Sequence, residues 1–425
     1  MEQNNSKKNS DLLTGLLNMA EAMLVSGSEI TRVEDTIARM GLACGAEHMN
    51  VFVITSCIIV TMGMPDGEEL TQTRRVMTSG GTDFIKIERF NELSRRCCAD
   101  PIAPETLEEE VRAIETSRPS PWTSYLGSVL AAGGFTMFFG GTLWDGGMAA
   151  LFALAICWFQ ERLLPISMNQ MSFNLLCSVI VGVATSLCAG LLPILHLDKI
   201  LIGCIMLLIP GIALTNAVRN VLVGNTISGL MRLVEALLWA AALALGFMAA
   251  MFFTGGAYAM AGDASLSAAA QLFTAGVGAM GFSLMFNVRR NLLPLAVLGG
   301  VLDWGVYMIA ASFFGETVFL SSVAAAAFAT VYSEAMARVK KAPSTVFYIP
   351  ALVPLIPGGS LFYTMSCAVG GQWDGVGSFG SSTLYCALGI AVGMSLILSV
   401  DFTLRKLLQM KTSQGERHRN SHYGS

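Results

Sequence analysis

Acidic residues inside long apolar segments are the side chains of this sequence most able to do chemistry. Such segments contain Glu235, Asp303, Glu334 and Asp401. A charged side chain is costly within a bilayer, so these residues either pair with a base or take up and release a proton. All but Asp303 have an arginine three or four positions away. The pattern predicts Asp303 as the main proton-coupling residue, with Glu235 and Glu334 as further candidates. A hydrogen-bonded aspartate that only ties two helices together is the alternative for Asp303.

Two Pro-Gly pairs interrupt apolar runs at matching places in the chain. The run Leu207–Gly211 recurs as Leu355–Gly359, with the two prolines 147 positions apart, and Phe135 maps onto Phe282 at the same offset. Proline removes a backbone donor, so a break within a membrane needs protein or water to satisfy the freed groups. Paired breaks in two halves favour an internally duplicated transporter over two simple kinks. The residues predicted to contact substrate at the breaks are Pro210, Gly211, Pro357, Gly358 and Gly359.

A polar face follows the first break. Asn216, Arg219 and Asn220 are spaced so that they share one side of a helix. They could bind the carboxylate of a substrate at the cytoplasmic mouth of the membrane domain. They could equally be the solvated end of a helix, and the sequence leaves both alternatives open.

Composition places these residues in a helical membrane protein. Of the 425 residues, 53% are hydrophobic and only 13% are charged, and more than half of the acidic residues precede Pro119. We expect a cytoplasmic α/β domain at 1–121, a five-helix membrane repeat at 122–254, a second at 265–410 and a disordered cytoplasmic tail at 411–425. Apolar segments of about the length of a membrane span are predicted at 123–141, 147–164, 171–194, 198–215, 227–253, 266–286, 291–313, 319–337, 344–369 and 381–408.

The first domain alternates between helical and strand-like patterns. Apolar residues at helical spacing predict two helices before residue 41, and Gly27 and Ser28 lie between them as stop and cap. A single buried strand is predicted at 49–62, a returning strand at 71–78 and a third strand at 83–87. Two further helices are predicted at 88–98 and 104–117.

Loop charge predicts the orientation of the membrane domain. With the first domain in the cytoplasm, Lys199 is the only basic residue assigned to an outside loop. This bias places both termini in the cytoplasm. Five spans in each half is an odd number, so the two repeats must be inverted relative to each other. The basic residues assigned to inside loops are Arg162, Arg219, Arg289, Arg290, Arg338, Lys340 and Lys341.

Other classes of function have weaker support. His48 could serve Ser56 or Cys57 as a nucleophile, which would make the chain a membrane-anchored hydrolase, but no hydrolase motif accompanies them. The ten cysteines lack the spacing of a metal site, and no cofactor is predicted. Nucleic acid is not expected as a partner, because the first domain is acidic. Closely spaced glycines at 276–281 and 389–393 permit a homo-oligomer.

The stretch Ser26–Ile37 resembles the opening signature of the bacterial threonine/serine exporter family. The segments Val51–Met62 and Thr73–Val76 fit the same amino-terminal module, and the layout of a soluble domain before about ten spans is similar. The resemblance implies a proton-driven secondary exporter of threonine and serine in the bacterial inner membrane. Some members are split into two chains and linked to dicarboxylate export. The signature residues are Arg32, Glu34 and Asp35, which could bind ligand or dock the domain on the membrane part.

The expected function is therefore proton-coupled export of threonine and serine. Export of a dicarboxylate such as succinate is the alternative within transport. An amino acid needs one anion site and one cation site, whereas a dicarboxylate needs two cationic or donor sites. Because the apolar segments contain few bases, the sequence favours the amino acid.

Overall fold

The chain folds into an amino-terminal domain of helices and a small sheet, the soluble domain of the sequence prediction, followed by a bundle of apolar helices. The computed structural model describes residues 2–77, 81–117, 119–167, 169–209, 211–222, 224–254, 266–315 and 317–422. Pro210 lies outside the described residues, as does the side chain of Asp401.

Four helices and a three-stranded antiparallel sheet make up the soluble domain. The strands follow each other in space as they do in sequence. Alternate residues of the central strand are buried, among them Ile58, Val60 and Met62, and they pack against the apolar face of the first helix. The elements are α1 (Glu2–Val25), α2 (Ile30–Ala43), β1 (His48–Ile54), β2 (Cys57–Gly63), β3 (Glu69–Arg75), α3 (Phe84–Ala99) and α4 (Pro104–Thr116).

Two strand predictions in this domain are wrong. The segment 49–62 is a hairpin of β1 and β2, in which Ile54 pairs with Cys57 across a two-residue turn. A run of Val, Ile and Thr does not reveal such a turn, because Thr55 and Ser56 lack the usual glycine or asparagine. The segment 83–87 begins α3 instead of forming a strand. The Asp83 side chain caps this helix by accepting from the Lys86 amide at 3.1 Å.

The membrane part consists of long apolar helices, two of them interrupted. By length and hydropathy, seven helices among the described residues could cross a membrane, or eight if one bent pair counts as a span. Each of the ten predicted segments overlaps a helix or a broken helix. The helices are α5 (Pro121–Phe138), α6 (Leu143–Arg162), α7 (Gln170–Leu191), α8 (Leu197–Met206), α9 (Gly211–Leu222), α10 (Thr226–Thr254), α11 (Ala268–Met285), α12 (Leu293–Phe314), α13 (Val318–Lys340), α14 (Thr345–Leu352), α15 (Gly358–Val369) and α16 (Trp373–His422).

One expectation for this part needs correction. Lys199 is not in a loop: it belongs to α8, and its side chain is 2% exposed. Helix α16 extends to His422, past the end of the apolar segment predicted at 381–408.

Helices α5 and α11, which correspond at the 147-residue offset, pack directly against each other. A Cβ added to Gly134 would lie 2.9 Å from the Gly278 amide, and one added to Gly281 would lie 2.3 Å from the Ala131 amide. The 147-residue offset relates Gly134 to Gly281 and Ala131 to Gly278. The two contacts are therefore equivalent, with the helices exchanging places. Small residues thus allow the two backbones a close antiparallel crossing. Phe135 and Phe282 meet across the same contact, with ring centroids 5.9 Å apart.

The second predicted break is a bend in the chain. A short 3-10 turn, Val353–Leu355, joins α14 to α15, and the two halves differ in direction by 45°. A Cβ added to Gly358 would lie 2.1 Å from the Met206 sulfur, at the end of α8. The second break is therefore packed against the end of the helix that precedes the first.

Candidate functional site

A cavity of about 380 Å³ lies between the soluble domain and the membrane helices. We call it the junction cavity. Helix α2 forms one wall, and α9, α13, α14 and α16 form the others. It brings together four residues that the sequence singles out for three separate reasons. These are Arg32 and Asp35 of the family signature, Arg219 of the polar face and Glu334 of the intramembrane acids.

A bidentate ion pair fixes the edge of the cavity. The Arg219 guanidinium donates to both carboxylate oxygens of Glu29, at 2.7 and 3.0 Å. Burial by itself would raise the pKa of Glu29, but the charge and hydrogen bonds of Arg219 lower that pKa below its ordinary value. The pair joins the soluble domain to α9. Arg219 is thus committed to a protein carboxylate in this conformation, which differs from both alternatives considered for it.

Helix α3 provides a second set of docking contacts. The Phe84 amide donates to the Phe286 carbonyl at 3.0 Å, next to the capping residue Asp83. Asp83 also accepts from the Asn287 side chain at 3.0 Å. Arg289 lies 3.0 Å from Glu88. The soluble domain is therefore held on the loop between α11 and α12 as well as on α9.

The three signature residues have different environments. Arg32 lines the junction cavity, and within the described part of the chain it forms no ion pair. Asp35 also lines the cavity and pairs with Arg39, one turn later, at 2.8 Å. Glu34 instead accepts from the Val53 amide at 3.0 Å, which ties α2 to β1. Arg32 is the signature residue most available to an anionic ligand.

Helix α13 offers hydroxyl groups to the same space. The buried Ser333 hydroxyl has no hydrogen-bond partner among the described residues. One turn away, Thr330 already donates to the Ala326 carbonyl at 2.7 Å. Glu334 lies 3.6 Å from Arg338, as its position four residues earlier predicts. A buried hydroxyl without a partner at a cavity wall is a site that a ligand can satisfy.

Asp303 belongs to α12 and does not line the cavity. Its side chain is 0% exposed, and neither carboxylate oxygen has a hydrogen-bond partner in the described part of the protein. Its neighbours Gly299 and Gly300 pack closely against Tyr332 and the Pro350 carbonyl, so helices fill the space that could have held water. Tyr348 connects the two places, because it lines the cavity and lies within electrostatic reach of Asp303.

The remaining predicted residues lie away from the cavity. Glu235 is 3.5 Å from Arg232, the local pair that its spacing predicts. Asn216 and Asn220 are half-buried on α9. Gly358 and Gly359 pack against Met206 and Phe139 and do not line the cavity.

The geometry of the hairpin argues against the hydrolase. His48 pairs with Gly63 at one end of the hairpin, whereas Cys57 pairs with Ile54 at the other. Six residues of strand separate them by about 20 Å. His48 therefore lies far beyond the hydrogen-bond reach that a base needs to activate Ser56 or Cys57.

Comparison with known families decides what kind of protein contains this cavity. The model of a threonine/serine exporter family matches residues 15–254, more than half of the chain. The chain belongs to this family. A second family model, "Threonine/Serine exporter, ThrE", matches residues 271–400. Together the two matches cover the soluble domain and both halves of the membrane part.

Two relatives of this transporter family carry different names. A Mycobacterium tuberculosis protein named "Probable threonine/serine exporter" is 26% identical over 239 residues, which are 55% of this chain and 44% of the relative. A Klebsiella aerogenes protein named "Probable succinate transporter subunit YjjP" is 25% identical over 231 residues, 54% of this chain and 88% of that protein. The match thus covers less than half of the first relative. No solved structure matches the chain.

Sequence patterns missed three residues of this exporter family member that matter for the cavity. Glu29 stands in the signature stretch but was not singled out, because the sequence does not show that it meets Arg219. Ser333 and Tyr348 lie in apolar helices, where a lone hydroxyl carries no signal. For Glu29, a carboxylate at the N-cap position of an amphipathic helix is the signal that could have been used.

Proposed function

We propose that this chain exports threonine and serine across the bacterial inner membrane, using the proton gradient. The junction cavity is the observation that carries the proposal. It offers a cation at Arg32, carboxylates at Asp35 and Glu334, and the buried Ser333 hydroxyl. A small hydroxy amino acid has one group for each of these three kinds of partner.

The substrate enters this cavity from the cytoplasm. Its carboxylate binds Arg32, its ammonium group faces Glu334 on the opposite wall, and its hydroxyl bonds to Ser333. Charge-assisted hydrogen bonds are about twice as strong as neutral ones, so Arg32 contributes more to affinity than the Ser333 hydroxyl. The Glu29–Arg219 pair keeps the wall in place without taking part in binding.

Succinate is the second candidate, because one relative is named as a succinate transporter subunit. A dicarboxylate needs two cationic or donor groups. The cavity has two arginines, but Glu29 neutralises Arg219. Arg32 is then the one cavity cation without a carboxylate partner among the described residues, and a single cation site suits a zwitterion better than a dianion.

The proposed architecture is two inverted repeats of five spans, with both termini in the cytoplasm. The exchange of contacts between α5 and α11 supports a two-fold axis between the repeats. Exposed tryptophans support the proposed span ends, since Trp144 and Trp373 lie at helix ends assigned to the outside and Trp122 and Trp158 near ends assigned to the inside. Tryptophan is enriched at both faces of a membrane.

Asp303 is the proposed proton-coupling residue. It is buried without a hydrogen-bond partner among the described residues, and it lies within electrostatic reach of Tyr348, which lines the cavity. Binding at the cavity can therefore influence whether Asp303 holds a proton. Glu235 and Glu334 are weaker candidates, because each lies beside an arginine of its own helix.

Counterflow in proteoliposomes tests the substrate. Vesicles loaded with unlabelled threonine should take up labelled threonine, and vesicles loaded with succinate should not. Arg32→Gln should strongly reduce the uptake at threonine concentrations below saturation, whereas Arg39→Gln, a change of an exposed arginine on the same helix, should leave it intact. Succinate counterflow without threonine counterflow would overturn the proposed substrate.

A further inference from the structure

A second group of buried polar side chains joins the two interrupted helices at the end opposite the junction cavity. Lys199 of α8 donates to the Tyr363 hydroxyl of α15 at 3.2 Å. Its ammonium group also lies 3.6 Å from the Asp198 carboxylate. Asp198 and Lys199 are each 2% exposed. We call these three residues the outer cluster.

The outer cluster is expensive to bury. Removing two opposite charges from water costs several kcal/mol per ion, and their attraction offsets this only in good geometry. An apolar pair of similar volume would hold α8 against α15 as well or better. A role beyond packing is therefore the more economical explanation for a lysine at this place.

Next to the cluster, a well-bonded carboxylate fixes the start of α8. Asp145 is fully buried and accepts from the His196 amide at 2.8 Å and from the Thr142 amide at 2.8 Å. The His196 ring lies 2.9 Å from the same carboxylate. Asp145 thus positions the residues immediately before Asp198 and Lys199, and it is itself committed to these partners.

The outer cluster and the junction cavity are built from corresponding halves of the two broken helices, which are α8 with α9 and α14 with α15. At the 147-residue offset, α8 corresponds to α14 and α9 to α15. The junction cavity takes Arg219 from α9 and Tyr348 from α14. The outer cluster takes Lys199 from α8 and Tyr363 from α15.

Each end therefore combines a base from the first broken helix with a tyrosine from the second. Each also holds a carboxylate paired with that base, Glu29 at one end and Asp198 at the other. The two-fold axis that relates inverted repeats exchanges the two faces of a transporter. The same axis exchanges these helix halves. In the proposed orientation α8 begins, and α15 ends, at the outer face.

We propose that Asp198, Lys199 and Tyr363 form the release-side binding site for a zwitterionic amino acid. The inference rests on the proposed function. When the path opens outward, Lys199 and Tyr363 bind the carboxylate of the substrate and Asp198 binds its ammonium group. In this conformation Lys199 donates to Tyr363 and lies beside Asp198, while the junction cavity lies at the other end of the broken helices.

Vesicles of defined orientation test this site. Threonine flux is measured in right-side-out vesicles, which present the outer face to added substrate, and in inside-out vesicles, which present the cytoplasmic face. Lys199→Met should raise the half-saturating threonine concentration at the outer face about tenfold or more, as expected for a lost charge-assisted hydrogen bond. At the cytoplasmic face it should change by less than about twofold. Lys340→Met, at an exposed lysine, is the control.

A double variant separates binding from packing. Lys199→Met leaves Asp198 buried without its base, so this variant could lose transport through misfolding alone. Asp198→Asn combined with Lys199→Met removes both charges and the misfolding with them. A binding site predicts that the double variant inserts normally and still has the outer-face defect. Full recovery of outer-face affinity in the double variant would show a structural ion pair and overturn the inference.

Tyr363→Phe gives an independent measurement. It removes one hydroxyl and keeps the ring, so a smaller outer-face defect of about threefold to tenfold is expected. The matched change Tyr385→Phe, at an exposed tyrosine of α16, should have no effect. Saturable threonine flux in wild-type vesicles tests the proposed function itself. Its absence would overturn both proposals, whereas normal flux with unchanged outer-face affinity in the variants would overturn the release site alone.

Discussion

The junction cavity and the interior around Asp303 are neighbours that differ in whether a buried acidic side chain has a partner. In the cavity, Glu29 and Arg219 share two hydrogen bonds. Asp303, by contrast, is fully buried and has no hydrogen-bond partner in the described structure. Tyr348 is common to both places.

The contrast indicates different roles for the two regions, docking for the first and proton transfer for the second. A buried carboxylate beside a guanidinium stays ionised over a wide pH range, so it can hold a wall in place while proton concentration changes. A buried carboxylate without a partner is stable only as the neutral acid. The first arrangement suits a permanent docking contact, and the second suits a group that gains and loses a proton when its access to water changes.

The strongest test of this contrast removes the titratable group from the interior. Asp303→Asn keeps the size of the side chain but cannot release a proton. We expect loss of pH-driven threonine accumulation in vesicles, while threonine exchange at equal pH continues. Pairing that measurement with Glu235→Gln is informative, because Glu235 has a local arginine and should not be needed. Accumulation that survives in Asp303→Asn would remove Asp303 from the coupling mechanism.

A second test concerns the available cation in the cavity. Arg32→Gln should raise the half-saturating threonine concentration at the cytoplasmic face about tenfold to a hundredfold, because a hydrogen bond to a charged group is lost. Flux measured in inside-out vesicles gives this value. Arg39→Gln alters the same helix at an exposed pair and serves as the control. Equal effects of the two changes would mean that Arg32 acts through the fold of α2.

The docking pair should affect stability more than affinity. Glu29→Gln leaves Arg219 without its carboxylate, which should lower the free energy of unfolding by about 2 kcal/mol. That is less than for a fully enclosed pair, since a quarter of the Glu29 side chain stays exposed. Thermal unfolding in detergent measures the change. Arg219→Lys keeps the positive charge but cannot form both hydrogen bonds of the guanidinium, so an intermediate loss of unfolding free energy is expected. Stability equal to wild type would show that the bidentate geometry is not needed.

The pH dependence of the same pair has a definite sign. Because Arg219 holds the pKa of Glu29 below its ordinary value, the pair stabilises the folded protein at all pH values above that ordinary value. This stability is lost only as pH falls through the lowered pKa. The stability difference between wild type and Glu29→Gln should therefore be constant from about pH 8 to about pH 5 and shrink at lower pH. A difference that already halves near neutral pH would contradict the assigned ion pair.

The smallest expected effect is at the cavity hydroxyl. Ser333→Ala should weaken threonine binding at the cytoplasmic face about threefold to tenfold, the range for one neutral hydrogen bond. Thr330→Val, one turn away, removes a hydroxyl that already bonds to the Ala326 carbonyl and should leave binding unchanged. The pair of variants separates a ligand contact from a general loss of polarity. A larger effect at Thr330 would place the substrate elsewhere in the cavity.

Helical periods and long apolar runs were enough to predict most elements of this chain. The helices from α5 onward follow from hydropathy, because a bilayer requires long apolar stretches whatever their neighbours are. The hairpin at 48–63 and the start of α3 at Phe84 could not be predicted in the same way. The turn at Thr55 lacks the residues that favour a tight hairpin. Asp83 is a good cap residue, but the segment that follows it also fits a short strand.

The sequence by itself determined the family, the transport class and the residues with unusual charge, because signature, hydropathy and isolated acids are properties of short segments. Only the tertiary structure decided their partners. Glu29 and Arg219 are 190 positions apart, and Lys199 and Tyr363 are 164 apart. Hydrogen bonds and ion pairs act over a few ångströms, so their partners are set by the packing of helices that the linear sequence does not display. The same reason explains why Arg219 was a candidate ligand group in the sequence and is a docking residue in the fold.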